Sequence, residues 1–301
     1  MPEILRNILG TASGFLTRAL VSAFPILNIL FIVTAAGFGT LLHRMLSRRY
    51  RDVATLCIGG ILVLTGISQL WDNFFVLADG QLETTGTVLV LVALPLGYLF
   101  GEAIMLDKVL GMLGKRLHKL VLNDDPVTEG EGKDAGTKKK KSSKGSLPTV
   151  SMDLLTRETE TYSPNGFVIA TLVCAFGSPA IRCAVESRLE NVAAPLLYKI
   201  LLDVVIILLV TSIYGSSAVF SALPVLITEG VLVLVARVWG HLLTPTLVRQ
   251  MCLVGAAIIT AVGFNLSLGK KFKAGNLIPA VLIPPLFGLA MMLIEKATEG
   301  K

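Results

Sequence analysis

Charge is what this sequence has least of. Only 16% of its 301 residues are Asp, Glu, Lys or Arg, against about 25% in an ordinary soluble domain. Aromatic residues are sparse at 7%, and the four cysteines (Cys57, Cys174, Cys183, Cys252) show neither CxxC nor Cys/His ligand spacing. That pattern argues against a disulfide scaffold and against a metal site. The GxSxG and GxxxxGK[ST] motifs are missing as well, which speaks against a serine hydrolase and against ATP-driven work by this chain alone. The three histidines, His43, His118 and His241, end helices or lie in polar loops and do not cluster. Asp203 has no second intramembrane Asp in a glycine-rich setting, as an aspartic dyad needs. Neither enzymatic activity nor a cofactor is expected.

Apolar residues fill the space that charge leaves. They make up 53% of the chain, and the mean hydropathy is +0.73. Stretches 21–42, 53–71, 86–106 and 247–267 carry at most one charged side chain each, close to the roughly 20 residues a helix needs to cross about 30 Å of hydrocarbon. The fold class is therefore an all-α polytopic membrane protein, helical because unpaired backbone cannot lie in lipid. Eight spans are expected, near 21–42, 53–71, 86–106, 166–181, 196–214, 219–241, 247–267 and 276–295. Residues 1–20 read as an amphipathic N-terminal helix rather than a signal peptide. Residues 107–164 hold the run Lys138-Lys139-Lys140-Lys141 among many acids and small polar residues. That composition predicts a largely disordered cytoplasmic loop. A contact with anionic lipid is its functional reading, and a tolerated insertion the plainer one.

The net charge of +6 raises nucleic acid as a partner, but the basic residues collect beside apolar helices with no aromatic interleaving, so nucleic-acid binding is not expected. Arg44, Arg48, Arg49 and Arg51 follow the first span, whereas the loop at 72–85 has no Lys or Arg. Positive-inside counting therefore puts the first loop, the long loop, the turn at Gly215-Ser216-Ser217 and the loop with Lys270, Lys271 and Lys273 in the cytoplasm. Arg182, Arg188, Arg237 and Arg249 count against this assignment.

The two ends of the chain resemble each other. Ser22-Ala23-Phe24-Pro25-Ile26-Leu27 is similar to Ser221-Ala222-Leu223-Pro224-Val225-Leu226, and Cys57, Gly60 and Thr65 match Cys252, Gly255 and Thr260 at one constant offset. Pro95-Leu96 matches Pro285-Leu286 with a small gap. This order predicts a first membrane repeat at 21–106 and a second at 215–301, linked by helices in 165–214. An odd number of crossings separates the two starts, so the copies are inverted, an arrangement found in many secondary transporters with the site near the midplane.

Polar groups deep in the spans are the site candidates, because a charge there costs about 2.5–3.5 kcal/mol on insertion scales and seeks a cavity or a partner. Asn28 follows Pro25 by one turn, and Thr228 and Glu229 follow Pro224. Asp203 shares a helix face with Lys199, four residues earlier. Gln69 and Asn265 stand late in the second and seventh spans, and Glu102 follows Gly101 near the end of the third. Asn28, Lys199, Asp203, Glu229 and Asn265 are expected to bind a small solute or ion, with Gln69, Glu102, Thr228 and Asn276 as further candidates. Plainer readings stand beside them: a structural Lys199–Asp203 pair, helix-end caps at Gln69 and Asn265, and a snorkelling acid at Glu102. Gly97-x-x-x-Gly101 suits close helix packing inside the chain, and next to that a homo-oligomer. A transporter or channel is the leading function, and a non-transporting membrane scaffold the alternative.

Phe220-Ser221-Ala222-Leu223-Pro224-Val225-Leu226 with Gly230 resembles the bacterial YqgA/YdfK family of multi-pass membrane proteins of unknown function. So do Lys199-x-x-x-Asp203, Gly263-Phe264-Asn265-Leu266 and Gly275-Asn276-Leu277-Ile278-Pro279-Ala280, with weaker matches at Asn28, Gly39, Gly66-Ile67-Ser68 and Gly101-Glu102. The resemblance covers roughly 21–119 and 165–295 and implies the membrane fold without implying a substrate. Two departures stand out. Residues 120–164 look like an insertion, and Glu229 stands where the family more often has glutamine.

Overall fold

The computed structural model describes residues 3–78, 81–84, 86–122, 164–189, 194–238, 240, 243–269 and 272–299. The lysine run 138–141, Lys270, Lys271 and His241 lie outside them. Ten α-helices are described: α1 (Glu3–Met45), α2 (Arg48–Phe74), α3 (Thr87–Ile104), α4 (Leu106–Leu122), α5 (Pro164–Phe176), α6 (Ser178–Leu189), α7 (Ala194–Tyr214), α8 (Ala222–Val238), α9 (Pro245–Leu268) and α10 (Ile283–Glu299). Two 3₁₀ segments, Gly215–Ser221 and Ala274–Leu282, lead into α8 and α10. A short antiparallel hairpin, β1 (Phe75–Ala78) and β2 (Gln81–Thr84), joins α2 to α3 with Phe75 opposite Thr84. Trp71, Phe74 and Phe75 stack at its base, as aromatic side chains do where apolar helix meets water.

Six apolar helical stretches reach membrane-spanning length, and α3 with the start of α4 makes a further pair bent by 52°. One of the six, Ala194–Val238, runs for 45 residues, yet it must fold back on itself. A single straight helix would separate Asp203 from Glu229 by about 39 Å. Instead the amide nitrogen of Asn28 donates to both carboxylates, at 2.8 Å each. The reversal occurs at Gly215–Ser221, where Gly215 adopts φ +75°, a conformation that favours glycine. Counting α7 and α8 separately, the described residues hold eight segments able to cross a membrane: α1, α2, α3, the pair α5–α6, α7, α8, α9, and the 3₁₀ segment with α10.

Contacts between helices fix the direction of each crossing. Gly59 lies against Gly263 and Ser267, and Gly66 against Thr260, so α2 and α9 run antiparallel with glycines at the seam. Gly97 meets Ala280 and Gly101 meets Asn276, which sets α3 antiparallel to the second 3₁₀ segment. Phe24 packs with Leu196 and Ile200, and Gly39 meets Thr211, so α1 and α7 run parallel. One face of the bundle therefore carries His43, the Gly215 turn, α4 and Lys273, and the other the hairpin, Arg182 and the start of α9. Thr244 caps α9 by accepting from the Leu247 N–H, with Pro245 in the first turn.

The fourth crossing is broken. Gly177-Ser178-Pro179 separates α5 from α6, because Pro179 has no N–H to continue the ladder. Two apolar clusters surround the break, one built on α2, α5, α6 and α9 and one on α1, α5, α7 and α8. Outside them Ile26, Leu30, Leu64, Leu91, Leu201 and Leu234 are exposed, the surface a bilayer covers.

Residues 3–45 form one continuous helix, whose part from Ala23 to Met45 has the length and apolarity of a span. Two expectations change in detail. The segment 107–164, read as largely disordered, begins with helix α4. Its leucines recur with helical period in LDKVLGMLGKRLHKLVL, and a one-sided apolar stripe favours a helix whatever the surrounding composition. The rest of that segment up to 163 lies outside the described residues. The fourth span reaches Ser187 rather than 181, with its break inside it.

Candidate functional site

The groups placed deepest in the bundle converge on one point. Asn28 and Glu229 are 0% exposed, and Lys199 and Asp203 1%. Four helices meet there: α1 brings Asn28 one turn after Pro25, α7 brings Lys199 and Asp203 on one face, α8 brings Glu229, and α5 ends beside them. Lys199 Nζ donates to the carbonyl of Cys174 at 2.9 Å, to Asp203 Oδ2, and lies 3.3 Å from Glu229 Oε1. The Asn28 amide nitrogen bridges Asp203 Oδ2 and Glu229 Oε1. The Cys174 carbonyl is free to accept because α5 stops at Phe176, so its last-turn carbonyls have no helical donors. Those carbonyls carry the negative end of the helix dipole, which suits an ammonium.

Electrostatics leave this centre unfinished. Two carboxylates face one ammonium. At 3.3 Å the Lys199–Glu229 attraction is about 5 kcal/mol for an effective dielectric of about 20, comparable with the several kcal/mol needed to strip water from each ion. One lysine therefore offsets one carboxylate and leaves the second uncompensated. Two buried acceptors, Glu229 Oε2 and Asn28 Oδ1, have no hydrogen-bond donor. A cavity of about 20 Å³ abuts the centre, lined by Lys199, Asp203, Thr65, Gln69 and Pro179 among others, which is room for one water. The buried Gln69 Oε1 also lacks a partner.

A second polar group sits where α3 bends into α4. Glu102 accepts from Lys273 and from Asn276 Nδ2 at 2.6 Å, and Asn276 Oδ1 accepts from the Asp107 N–H at 2.9 Å. The hydrogen bond to Glu102 lifts the exposed Lys273 ammonium above its ordinary value. Between the two helices Met105 takes a left-handed φ of 56°, a conformation costly for a residue with a side chain. Asn276 thus fastens the bend by satisfying a helix-start N–H.

Comparison with known proteins places the chain. Residues 24–289 match the family described as protein of unknown function DUF554. The chain belongs to this family. It is 25% identical over 260 residues to an uncharacterized membrane protein, YdfK, of Bacillus subtilis (strain 168), covering 86% of this chain and 93% of that protein. No solved structure matches. This DUF554 member is a multi-pass membrane protein, and the matched span takes in every residue of both polar groups.

The structure thus gathers Asn28, Lys199, Asp203 and Glu229, and puts Gln69 on the wall of the adjoining cavity. Glu102 and Asn276 pair with each other at the face that carries Lys273, apart from that centre. Asn265 lies elsewhere: its side chain bonds the N–H and the carbonyl of Phe272, at 2.9 and 2.8 Å, and closes the loop after α9. Thr228 turns back to the carbonyl of Pro224 at 2.8 Å. Among the described residues no group of His, Cys, Asp and Glu has metal-ligand geometry. One participant had no side-chain signal, the Cys174 carbonyl. The Gly177-Ser178-Pro179 break three residues later is what could have revealed it.

Proposed function

We propose that this protein carries a small solute or cation across the membrane as a secondary transporter or channel, without catalysis, and that Asn28, Lys199, Asp203 and Glu229 form its substrate or coupling-ion site. The burial of an anion-rich cluster beside a broken helix supports the reading above all else. Intramembrane charge of this kind is expensive, and broken helices line ion and substrate sites in transporters.

An inverted two-fold repeat fits the same observations. Its two second helices would cross antiparallel at equivalent positions. Thr65 is equivalent to Thr260 at the offset of the sequence match, and Gly66 rests on Thr260. Asn28 and Glu229, near-equivalent in the two copies, bond to each other. A ligand with different affinities for the outward and inward states would drive alternation between them.

Flux into liposomes tests the proposal. Solute- or ion-dependent uptake is expected, reduced at least about tenfold in Glu229→Gln and in Asp203→Asn, a loss of about 1.4 kcal/mol in barrier terms. Uptake untouched by both changes removes the site. No flux of any solute favours the scaffold, in which the same side chains only tie helices together.

A further inference from the structure

The centre has one negative charge too many and two acceptors too few donors, and both defects meet at the same pair of side chains. We propose that Glu229 is the seat of a single exchangeable proton, held on Oε2 and handed to Asn28 Oδ1 as a hydrogen bond. The Asn28 amide already donates to Glu229 Oε1 at 2.8 Å. Oε2 of that carboxyl and Oδ1 of that amide are the two acceptors left without donors. A proton on Oε2 completes the two-point pairing of a carboxylic acid with a primary amide, in which each group gives and accepts one hydrogen bond. It also brings the cluster to neutrality: one ammonium, one carboxylate, one acid.

A metal cation fits less well at the same point. Lys199 Nζ stands 3.3 Å from Glu229 Oε1, so a metal ion on this carboxyl would face an ammonium a few ångströms away. Glu229 Oε2, Asn28 Oδ1 and, across the adjoining cavity, Gln69 Oε1 are the nearby buried acceptors without a partner among the described residues, and that cavity of about 20 Å³ holds one water, far short of a hydration shell. A proton needs neither ligands nor room. Among the described residues, the other titratable groups facing Glu229 are Lys199 and Asp203 on α7, Cys174 on α5 and Cys183 on α6; α1 contributes the neutral Asn28. Asp203 is the poorer seat, because its Oδ2 accepts from Lys199 and from Asn28 and neither of its oxygens is a buried acceptor left without a partner, as Glu229 Oε2 is. The proton comes from water on the side to which the site is open and returns to water, so one O–H bond forms and one breaks with no other reactant.

In the transport reading, on which this role rests, the proton is the coupling ion. Infrared difference spectra of the full chain in phospholipid liposomes, taken between about pH 6 and about pH 9 on either side of a neutral working point, separate the two ideas. A protonated-carboxyl C=O band is expected in wild type and absent in Glu229→Gln; in Asp203→Asn, which leaves Glu229 as the counter-charge of Lys199, the band should weaken and its pH midpoint fall. Asn28→Ala should shift that band to higher frequency, because the acid loses both hydrogen bonds; this arm decides the matter if Glu229→Gln does not fold. A band that survives Glu229→Gln, an unshifted band in Asn28→Ala, or no band in wild type overturns the assignment. Band present and flux absent supports the proton site and removes transport; flux present and band absent does the reverse.

Discussion

Removing Lys199 tests the charge count most directly. Its ammonium is the only cation bonded to the centre among the described residues, contacting the Cys174 carbonyl, Asp203 and Glu229. Lys199→Met keeps the volume and leaves two carboxyl groups facing each other with only the Asn28 amide between them. Breaking a buried pair by deleting one partner costs about 3–5 kcal/mol. At roughly 2–4 °C per kcal/mol for a chain of this class, the melting temperature should fall by roughly 6–20 °C. Asp203→Asn should behave quite differently. It leaves one ammonium and one carboxylate, a balanced pair, and keeps an acceptor for Lys199, so a loss under about 1.5 kcal/mol is expected, that of one weakened hydrogen bond. The double change Lys199→Met with Asp203→Asn should recover most of the single lysine loss. Thermal melts in one detergent at one pH measure all three. Equal losses in Lys199→Met and Asp203→Asn would refute the view that the centre carries excess negative charge.

Other expectations concern packing and sidedness. Asn276→Leu strands the buried Asp107 N–H and should cost about 1–3 kcal/mol, read as a lower melting temperature. Gly101→Ala drives a methyl into the backbone of Asn276 and should cost a further 1–3 kcal/mol or so by overpacking, while Gly37→Ala, with open space around it, should be neutral. With Cys57, the exposed thiol, replaced by Ser, single cysteines at Lys273 and Asp52 should label from one side of sealed vesicles and one at Thr84 from the other. Labelling of Lys273 and Thr84 from the same side contradicts eight crossings.

Local chemistry made most of the architecture legible, since lipid leaves the backbone few choices. Apolar runs of about 20 residues give the spans, and even the break in the fourth shows as Gly177-Ser178-Pro179. The polar centre was legible for a related reason: Asn28, Lys199, Asp203 and Glu229 are each too costly in hydrocarbon to stand alone, so their partners had to be one another. Asn265 has the same composition signal but a different setting. It lies three residues from the end of α9, where the loop that follows offers backbone groups to bond, and a span count with boundaries good to a few residues does not separate depth from rim. Helix α4 hid inside a polar segment because composition averages over residues, whereas the helical period is a property of their order. The hairpin after α2 has two strands of four residues each, and its pairing is a contact between segments that neither segment announces.

The geometry of the centre links the charge state to the position of the helices. Asn28 belongs to α1, Glu229 to α8, the lysine–aspartate pair to α7 and the accepting carbonyl to α5, so one cluster ties together both ends of the sequence and the linking helices. No rigid displacement of α1 against α8 can keep the Asn28–Glu229 hydrogen bond, and its loss would strand a buried amide as well as a carboxyl. Such a displacement is cheap only if water reaches the centre at the same moment, because a wet carboxylate no longer needs its partner. In the proposed transport reading, opening of the bundle and hydration of Glu229 would therefore be one event, and that concurrence is how a single buried acid would couple what it binds to the side of the membrane it faces.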